Sequence, residues 1–147
     1  MIVHNFDPVL IDLGVFQIRW YSIAYIVGIV LGWIYGVKII KVMASKHNFI
    51  PFKPADFDDL IIYLILGIIL GGRLGYVIFY NFEYYSKNLF EILKLWEGGM
   101  SFHGGLLGVV FSTIIFSKIK GINFFHFADI ICCAAPIGIF LGRIANF

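Results

Sequence analysis

Two arginines of this 147-residue chain stand at the far end of apolar stretches that each begin at an aspartate. Thirteen uncharged residues separate Asp59 from Arg73, and thirteen separate Asp129 from Arg143. Thirteen helical residues rise about 20 Å, less than the roughly 30 Å hydrocarbon core of a bilayer, so both arginines are expected inside a membrane. An arginine there is costly and rare, and its planar fork binds a phosphate through two hydrogen bonds. The spacing predicts an anion site; an ion pair with another helix, or snorkelling to the headgroups, is the structural alternative.

A histidine offers a second kind of chemistry. His103 stands between two glycine pairs, Gly98–Gly99 and Gly104–Gly105, at the start of another apolar stretch. Imidazole titrates near neutral pH, so it can act as a general base. The glycine pairs favour an irregular start to the helix and let backbone N–H groups reach a ligand. The alternatives are a hydrogen-bonded structural histidine and glycines that only let helices pack closely.

The composition indicates a membrane protein. Hydrophobic residues make up 61% of the chain and charged residues only 14%, with a mean hydropathy of +0.92, whereas soluble domains carry about 25% charge. The net charge of +2 and the lack of a Lys/Arg-rich run argue against a nucleic-acid partner. The adjacent Cys132 and Cys133 are interpreted as packing residues, and we expect no metal site.

The apolar stretches predict an all-α integral membrane protein with about four transmembrane helices in a single polytopic domain over residues 1–147. The spans are expected near 20–37, 60–82, 100–117 and 130–147. Lysines follow the first and third spans, so the positive-inside rule puts the N-terminus outside. The alternation over Val9–Ile18 predicts an interfacial or re-entrant segment before the first span.

This topology brings the polar residues into one layer near the outer leaflet. Spans two and four would run outward and spans one and three inward, so residues far apart in sequence come to the same depth. A layer of donors with one imidazole suggests a site for an anionic lipid headgroup. Its members are Tyr21, Arg73, Tyr76, Tyr80, Ser101, His103, Arg143 and Asn146.

Four motifs in this order support a family resemblance. They are RWYSIAY at 19–25, GGRLGYVIFYN at 71–81, GGMSFHGGLLG at 98–108 and GRIANF at 142–147. Together they resemble the bacterial phosphatidylglycerol:prolipoprotein diacylglyceryl transferase family over essentially the whole chain. The resemblance implies a seven-helix fold in the complete enzyme, of which the C-terminal part is missing here, so we expect this fragment alone to be inactive.

The resemblance also implies an activity and its partners. The family transfers diacylglyceryl from phosphatidylglycerol to the lipobox cysteine thiol in the signal peptide of a preprolipoprotein, forming a thioether and releasing glycerol 1-phosphate. This protein lipidation, a step of lipoprotein biosynthesis, would occur in the bacterial cytoplasmic (inner) membrane, at a site facing the outer leaflet. No metal or organic cofactor is expected.

Residue roles follow from the matched positions. His103 matches the family's essential histidine and Tyr21 the tyrosine of the first span, while Arg143 and Asn146 match the closing signature. We expect Arg143, helped by Arg73, to bind the phosphate, and Tyr21 and Asn146 to orient the headgroup. His103 would take the thiol proton directly or through the lipid, or only bind the headgroup. Further substrate-binding candidates are Tyr76, Tyr80 and Gly104.

Two other classes of protein share some of these features. A membrane transporter or channel with an outer-leaflet anion site would also use intramembrane arginines and glycine-broken helices, but with polar residues at the midplane and on both sides. A non-catalytic assembly subunit would explain the glycines without explaining the two arginines and His103.

Overall fold

The computed structural model of the chain describes residues 9–12, 17–47 and 52–145. Its helices are α1 (Trp20–His47), α2 (Pro54–Phe79), α3 (Phe82–Lys87), α4 (Phe102–Lys120) and α5 (Phe124–Ala145). Two 3₁₀ turns, Leu89–Leu93 and Leu95–Glu97, connect α3 to α4. A short antiparallel hairpin of β1 (Val9–Asp12) and β2 (Gln17–Arg19) precedes α1.

The predicted helical fold with four spans is confirmed. Helices α1, α2, α4 and α5 are each long and apolar enough to cross a membrane. The alternating segment before the first span contributes to the hairpin, because an alternating pattern has the two-residue period of a strand. The hairpin is the only β-structure among the residues that the structure describes.

The helix ends differ from the predicted spans by several residues. Helix α1 continues past Lys38 to His47, because lysine is a good helix former and its long stem can lie along apolar surface. Helix α2 begins at Pro54, whose missing N–H costs nothing in a first turn. Helix α4 ends where Gly121 takes a left-handed φ of 66°, a conformation that glycine adopts without strain.

The chain divides into two compact units. One comprises residues 51–127 and is called the α2/α4 unit; the other comprises residues 1–50 with 128–147 and is called the α1/α5 unit. A single polytopic domain over residues 1–147 stays a prediction.

Glycines form the contact between α2 and α4. Small residues four apart on α2 meet small residues four apart on α4, and the two helices run antiparallel. A methyl group added at Gly75 would lie 2.8 Å from Gly104 Cα, and one added at Gly71 would lie 2.9 Å from Gly108 Cα. The backbones thus touch directly, as in small-residue contacts of membrane helices. This contact, called the glycine track below, consists of Gly67, Gly71 and Gly75 facing Gly104, Gly108 and Ser112.

Charges and aromatic rings close the other end of the same helix pair. The Lys120 ammonium lies 3.1 Å from an Asp56 oxygen and 2.8 Å from an Asp59 oxygen, joining the last turn of α4 to the first turns of α2. Beneath it, Phe116 and Phe127 are fully buried and contact each other at a ring-centroid distance of 5.4 Å. The α2 N-terminus and the α4 C-terminus are therefore held together by both charge and packing.

The α1/α5 unit uses glycine in the same way. A methyl group at Gly28 would lie 2.8 Å from Gly138 Cα, and one at Gly32 would lie 3.7 Å from Ala134 Cβ. Helices α1 and α5 are therefore antiparallel, with the start of α1 beside the end of α5.

Candidate functional site

The end of α2 and the start of α4 lie together. The Ser101 amide donates a hydrogen bond to the Gly72 carbonyl at 2.9 Å, next to the Gly75–Gly104 contact. Most of the predicted site residues belong to this end of the α2/α4 unit, which brings together Arg73, Tyr76, Tyr80, Ser101, His103 and Gly104.

Arg73 is buried, with only 3% of its surface exposed, and its guanidinium faces backbone carbonyls. The Nε group donates to Ile92 at 2.9 Å, and Nη2 donates to Glu91 at 2.8 Å and to Lys94 at 3.0 Å. These contacts join α2 to the 3₁₀ turns that precede α4.

The remaining nitrogen of Arg73, Nη1, faces the glycine pair. It donates to the Gly98 carbonyl at 2.5 Å and to the Gly99 carbonyl at 3.3 Å. Both glycines have a positive φ, 83° and 81°, which side chains other than glycine rarely adopt. The two glycine pairs predict an irregular start to this span, and the first pair has the irregular backbone.

Arg73 also lies among tyrosines. Its guanidinium carbon is 5.2 Å from the centroid of the Tyr85 ring, in cation–π contact. Tyr76 stacks on Tyr80 at 5.7 Å and contacts Tyr85 edge-on, and its hydroxyl accepts a hydrogen bond from the Asn81 side chain. In the sequence, Tyr85 has no signal beyond its place in an aromatic-rich connection.

These contacts bear on the expected role of Arg73. A guanidinium has five N–H groups, and the five carbonyl contacts occupy all of them. No donor is left for a phosphate in this conformation. In this conformation Arg73 holds the connection between α3 and α4, and the anion binding expected from its depth stays a prediction.

His103 lies in the first turn of α4 with an exposed ring. It contacts Phe102 edge-to-face at a centroid distance of 5.7 Å. The turn itself is capped by Ser101, whose side-chain oxygen accepts a hydrogen bond from the Gly104 amide at 3.2 Å. The backbone that carries His103 is therefore fixed, while its imidazole remains accessible.

Gly104 has a packing role that competes with its expected substrate contact. Its Cα lies against α2, and its amide is used by the Ser101 cap. Gly105 beside it is also buried within α4. The second glycine pair thus lies inside the helix, which corresponds to the packing alternative for these glycines.

The α1/α5 unit contains the other predicted residues. Arg143 is exposed in the last turn of α5 and makes no ion pair or hydrogen bond with any residue that the structure describes. A methyl group at the neighbouring Gly142 would lie 3.3 Å from the Tyr25 ring. Tyr21 lies one turn before Tyr25 on α1, so its backbone and that of Arg143 are at the same end of this unit. Asn146 lies outside the described residues.

Comparisons with known proteins give one consistent answer. The family described as prolipoprotein diacylglyceryl transferase matches residues 8–147. Similar proteins, each called phosphatidylglycerol–prolipoprotein diacylglyceryl transferase, occur in Paramagnetospirillum magneticum (49% identity over 97% of this chain and 51% of the relative) and Rickettsia typhi (49% over 100% and 55%). A third, from Rhodopseudomonas palustris, is 46% identical over 97% of this chain and 50% of the relative. The chain therefore spans about half the length of the curated relatives it matches.

Proposed function

Because the chain belongs to the prolipoprotein diacylglyceryl transferase family, we propose that it forms part of an enzyme that transfers diacylglyceryl from phosphatidylglycerol to a lipobox cysteine. The acceptor is the signal peptide of a preprolipoprotein, and the reaction occurs in the bacterial cytoplasmic membrane at its outer leaflet. What carries the proposal is similarity over nearly the whole chain at 46–49% identity. Because the chain covers about half the length of these relatives, the proposal is made for a protein of their full length.

The reaction is a displacement at carbon. The thiol sulfur attacks the glyceryl carbon next to the phosphate ester, a C–S bond forms, the C–O bond breaks, and glycerol 1-phosphate leaves with the electron pair. The thiol must lose its proton to become a good nucleophile, and the departing phosphate gains charge that a fixed cation can stabilise.

Arg143 is the residue that we propose for the phosphate. It is supported by an exposed guanidinium whose five donors are uncommitted among the described residues. Two of these donors can hold two phosphate oxygens at once. Arg73 differs because its donors are used by carbonyls, so it acts on the site only through the chain segment that it holds.

His103 is the residue that we propose for the thiol proton. Its ring is exposed on a capped first turn, so a substrate can approach it without rearranging the backbone. Tyr21 and Asn146 would orient the headgroup, as their places in the family motifs imply. Tyr80, which is exposed, is better placed than the half-buried Tyr76 to contact a lipid.

The test compares one substitution at two positions in the full-length protein. Arg143→Lys keeps the charge but loses the fork, so transfer of labelled diacylglyceryl to a lipobox peptide should fall by about 10-fold or more, a loss of at least 1.4 kcal/mol of transition-state stabilisation. Protein abundance and melting should stay unchanged, because Arg143 supports no other described residue.

Arg73→Lys is the matched control. It should lower resistance to proteolysis between α3 and α4, because three ammonium donors cannot replace five directed ones. Wild-type turnover of Arg143→Lys would disprove bidentate phosphate binding at this position. A lack of transfer by the unmodified full-length protein, with a lipobox Cys→Ser peptide as the blank, would disprove the activity itself.

A further inference from the structure

The connection between α3 and α4 presents its apolar side chains outward. Phe90 is 87% exposed, Leu93 72% and Trp96 67%, and they recur at three-residue intervals through the two 3₁₀ turns. A 3₁₀ helix has three residues per turn, so Phe90 and Leu93 lie on one side of the first turn, and Trp96 is exposed in the second. A surface of large apolar groups this exposed is unusual for a loop in water.

The backbone of the same connection faces the other way. The carbonyls of Glu91, Ile92, Lys94, Gly98 and Gly99 all accept hydrogen bonds from Arg73, which is itself buried. Two charges of the segment also compensate each other locally, since the Lys94 ammonium lies 2.6 Å from a Glu91 carboxylate oxygen.

Apolar side chains facing outward and backbone carbonyls bonded to a protein group together suit a segment that contacts lipid. Carbonyls of an irregular loop in water are solvated at no cost, and a buried guanidinium would be an expensive substitute for that water. Where the membrane excludes water, irregular backbone persists only where protein groups satisfy it. Tryptophan and other aromatic residues are moreover enriched where lipid headgroups meet acyl chains.

We propose that the connection Leu89–Glu97 lies in the interfacial layer of the membrane, with Phe90, Leu93 and Trp96 among the acyl chains. Arg73 makes this location possible by satisfying the carbonyls on the opposite side. The connection is then a lipid-contacting surface rather than a water-exposed loop, and it leads directly into the helix that carries His103.

Spin labels in the full-length protein test this location. Single cysteines replace Phe90 or Leu93 in a cysteine-free background reconstituted in vesicles that contain phosphatidylglycerol. Collisions with oxygen, which concentrates in lipid, are compared with collisions with a water-soluble nickel chelate. The lipid reference is Phe111→Cys on α4, where the native side chain is 61% exposed within a span. The water reference is Ser86→Cys on α3, an exposed polar position shortly before the segment.

The expected oxygen-to-nickel collision ratio at positions 90 and 93 is close to that at 111 and several-fold above that at 86. A ratio equal to that at 86 would place the connection in water and overturn the proposal. Low collision rates with both reagents would mean that another part of the protein covers the segment, which would overturn it as well.

Two variants test whether the hydrogen bonds from Arg73 hold the connection in contact with lipid. Arg73→Lys leaves carbonyls unsatisfied, so the oxygen-to-nickel collision ratio of the label at position 90 should fall by several-fold. Gly98→Ala is the milder variant. No atom crowds the new methyl group, but a φ of 83° is unfavourable for alanine, so the backbone should rotate and turn the Gly98 carbonyl away from Arg73. An unchanged ratio in either variant that accumulates would overturn the role assigned to Arg73.

Discussion

At the scale of residues, the two arginines expected inside the membrane are in opposite states. Arg73 is buried with all five donors on carbonyls, whereas Arg143 is exposed and unengaged among the described residues. The sequence treated them alike because each follows an aspartate at the same distance. They differ because a connection that begins about fifteen residues after Arg73 folds back and places its backbone carbonyls against the Arg73 guanidinium. No local sequence pattern encodes this contact.

His103 yields the residue-scale prediction. If it accepts the thiol proton, His103→Gln in the full-length protein should leave phosphatidylglycerol binding nearly intact and lower turnover by roughly 10²-fold. Lipid affinity and turnover measured on both proteins check this. Weak lipid binding by the Gln variant at a normal maximal rate would instead indicate a headgroup ligand.

At the scale of elements, backbone contact through glycine explains the tightness of the α2/α4 pair. Helices in lipid gain little from apolar burial, so close approach of small residues is a main source of their association. On α1, the contacts of Gly28 with Gly138 and of Gly32 with Ala134 show the same role. For the glycine pairs beside His103 the sequence left both a ligand site and close packing open, and Gly104 packs against α2.

Gly71 and Gly105 give a matched test of the glycine track. A methyl at Gly71 would meet the Gly104 carbonyl and lie 2.9 Å from Gly108 Cα, whereas one at Gly105 would lie 3.8 Å from its nearest neighbour, the Ile68 carbonyl oxygen. Gly71→Ala should therefore destabilise the protein by about 1–3 kcal/mol through overpacking. Gly105→Ala should be neutral or stabilising by up to about 1 kcal/mol, since alanine is the better helix former. Unfolding in detergent measures both; equal stability of the two variants would argue against close backbone contact.

Helix existence was easier to predict than helix ends. The four apolar stretches made the spans evident, but α1 extends ten residues beyond its predicted end and α5 begins six residues earlier than expected. Flanking charged residues continue a helix without changing its apolar core, so hydropathy alone does not mark its ends. Of the candidate site, the exposed His103 and Arg143 were within reach of sequence reasoning. The engagement of Arg73 and Gly104 was not, since it depends on partners brought near by folding.

At the scale of the whole molecule, the distribution of lysines predicts how the chain sits in the membrane. Lys38, Lys41 and Lys46 lie along the second half of α1, so this end of the helix is expected in the cytoplasm and the N-terminus outside. The connection that holds Ser86 is then extracytoplasmic.

Cysteine labelling of intact cells checks this orientation. With Cys132 and Cys133 replaced, Ser86→Cys should react with an impermeant maleimide, and Ser45→Cys should react only after lysis; both positions are exposed. Labelling of Ser45→Cys alone in intact cells would invert the topology and move the predicted site to the inner leaflet.

The four-residue repeat of the glycine track has a consequence for the alignment of α2 and α4. Both faces advance by the same step, so after sliding one helix by a turn, about 5.4 Å, two of the three small residues on each helix would again lie against small residues. The track therefore permits an alternative alignment one turn away. The observed alignment is fixed at the two ends of the helix pair. Lys120 forms ion pairs with Asp56 and Asp59 at one end, and the Ser101 amide donates a hydrogen bond to the Gly72 carbonyl at the other. Releasing both ends would leave a one-turn step as the easiest large movement of this helix pair.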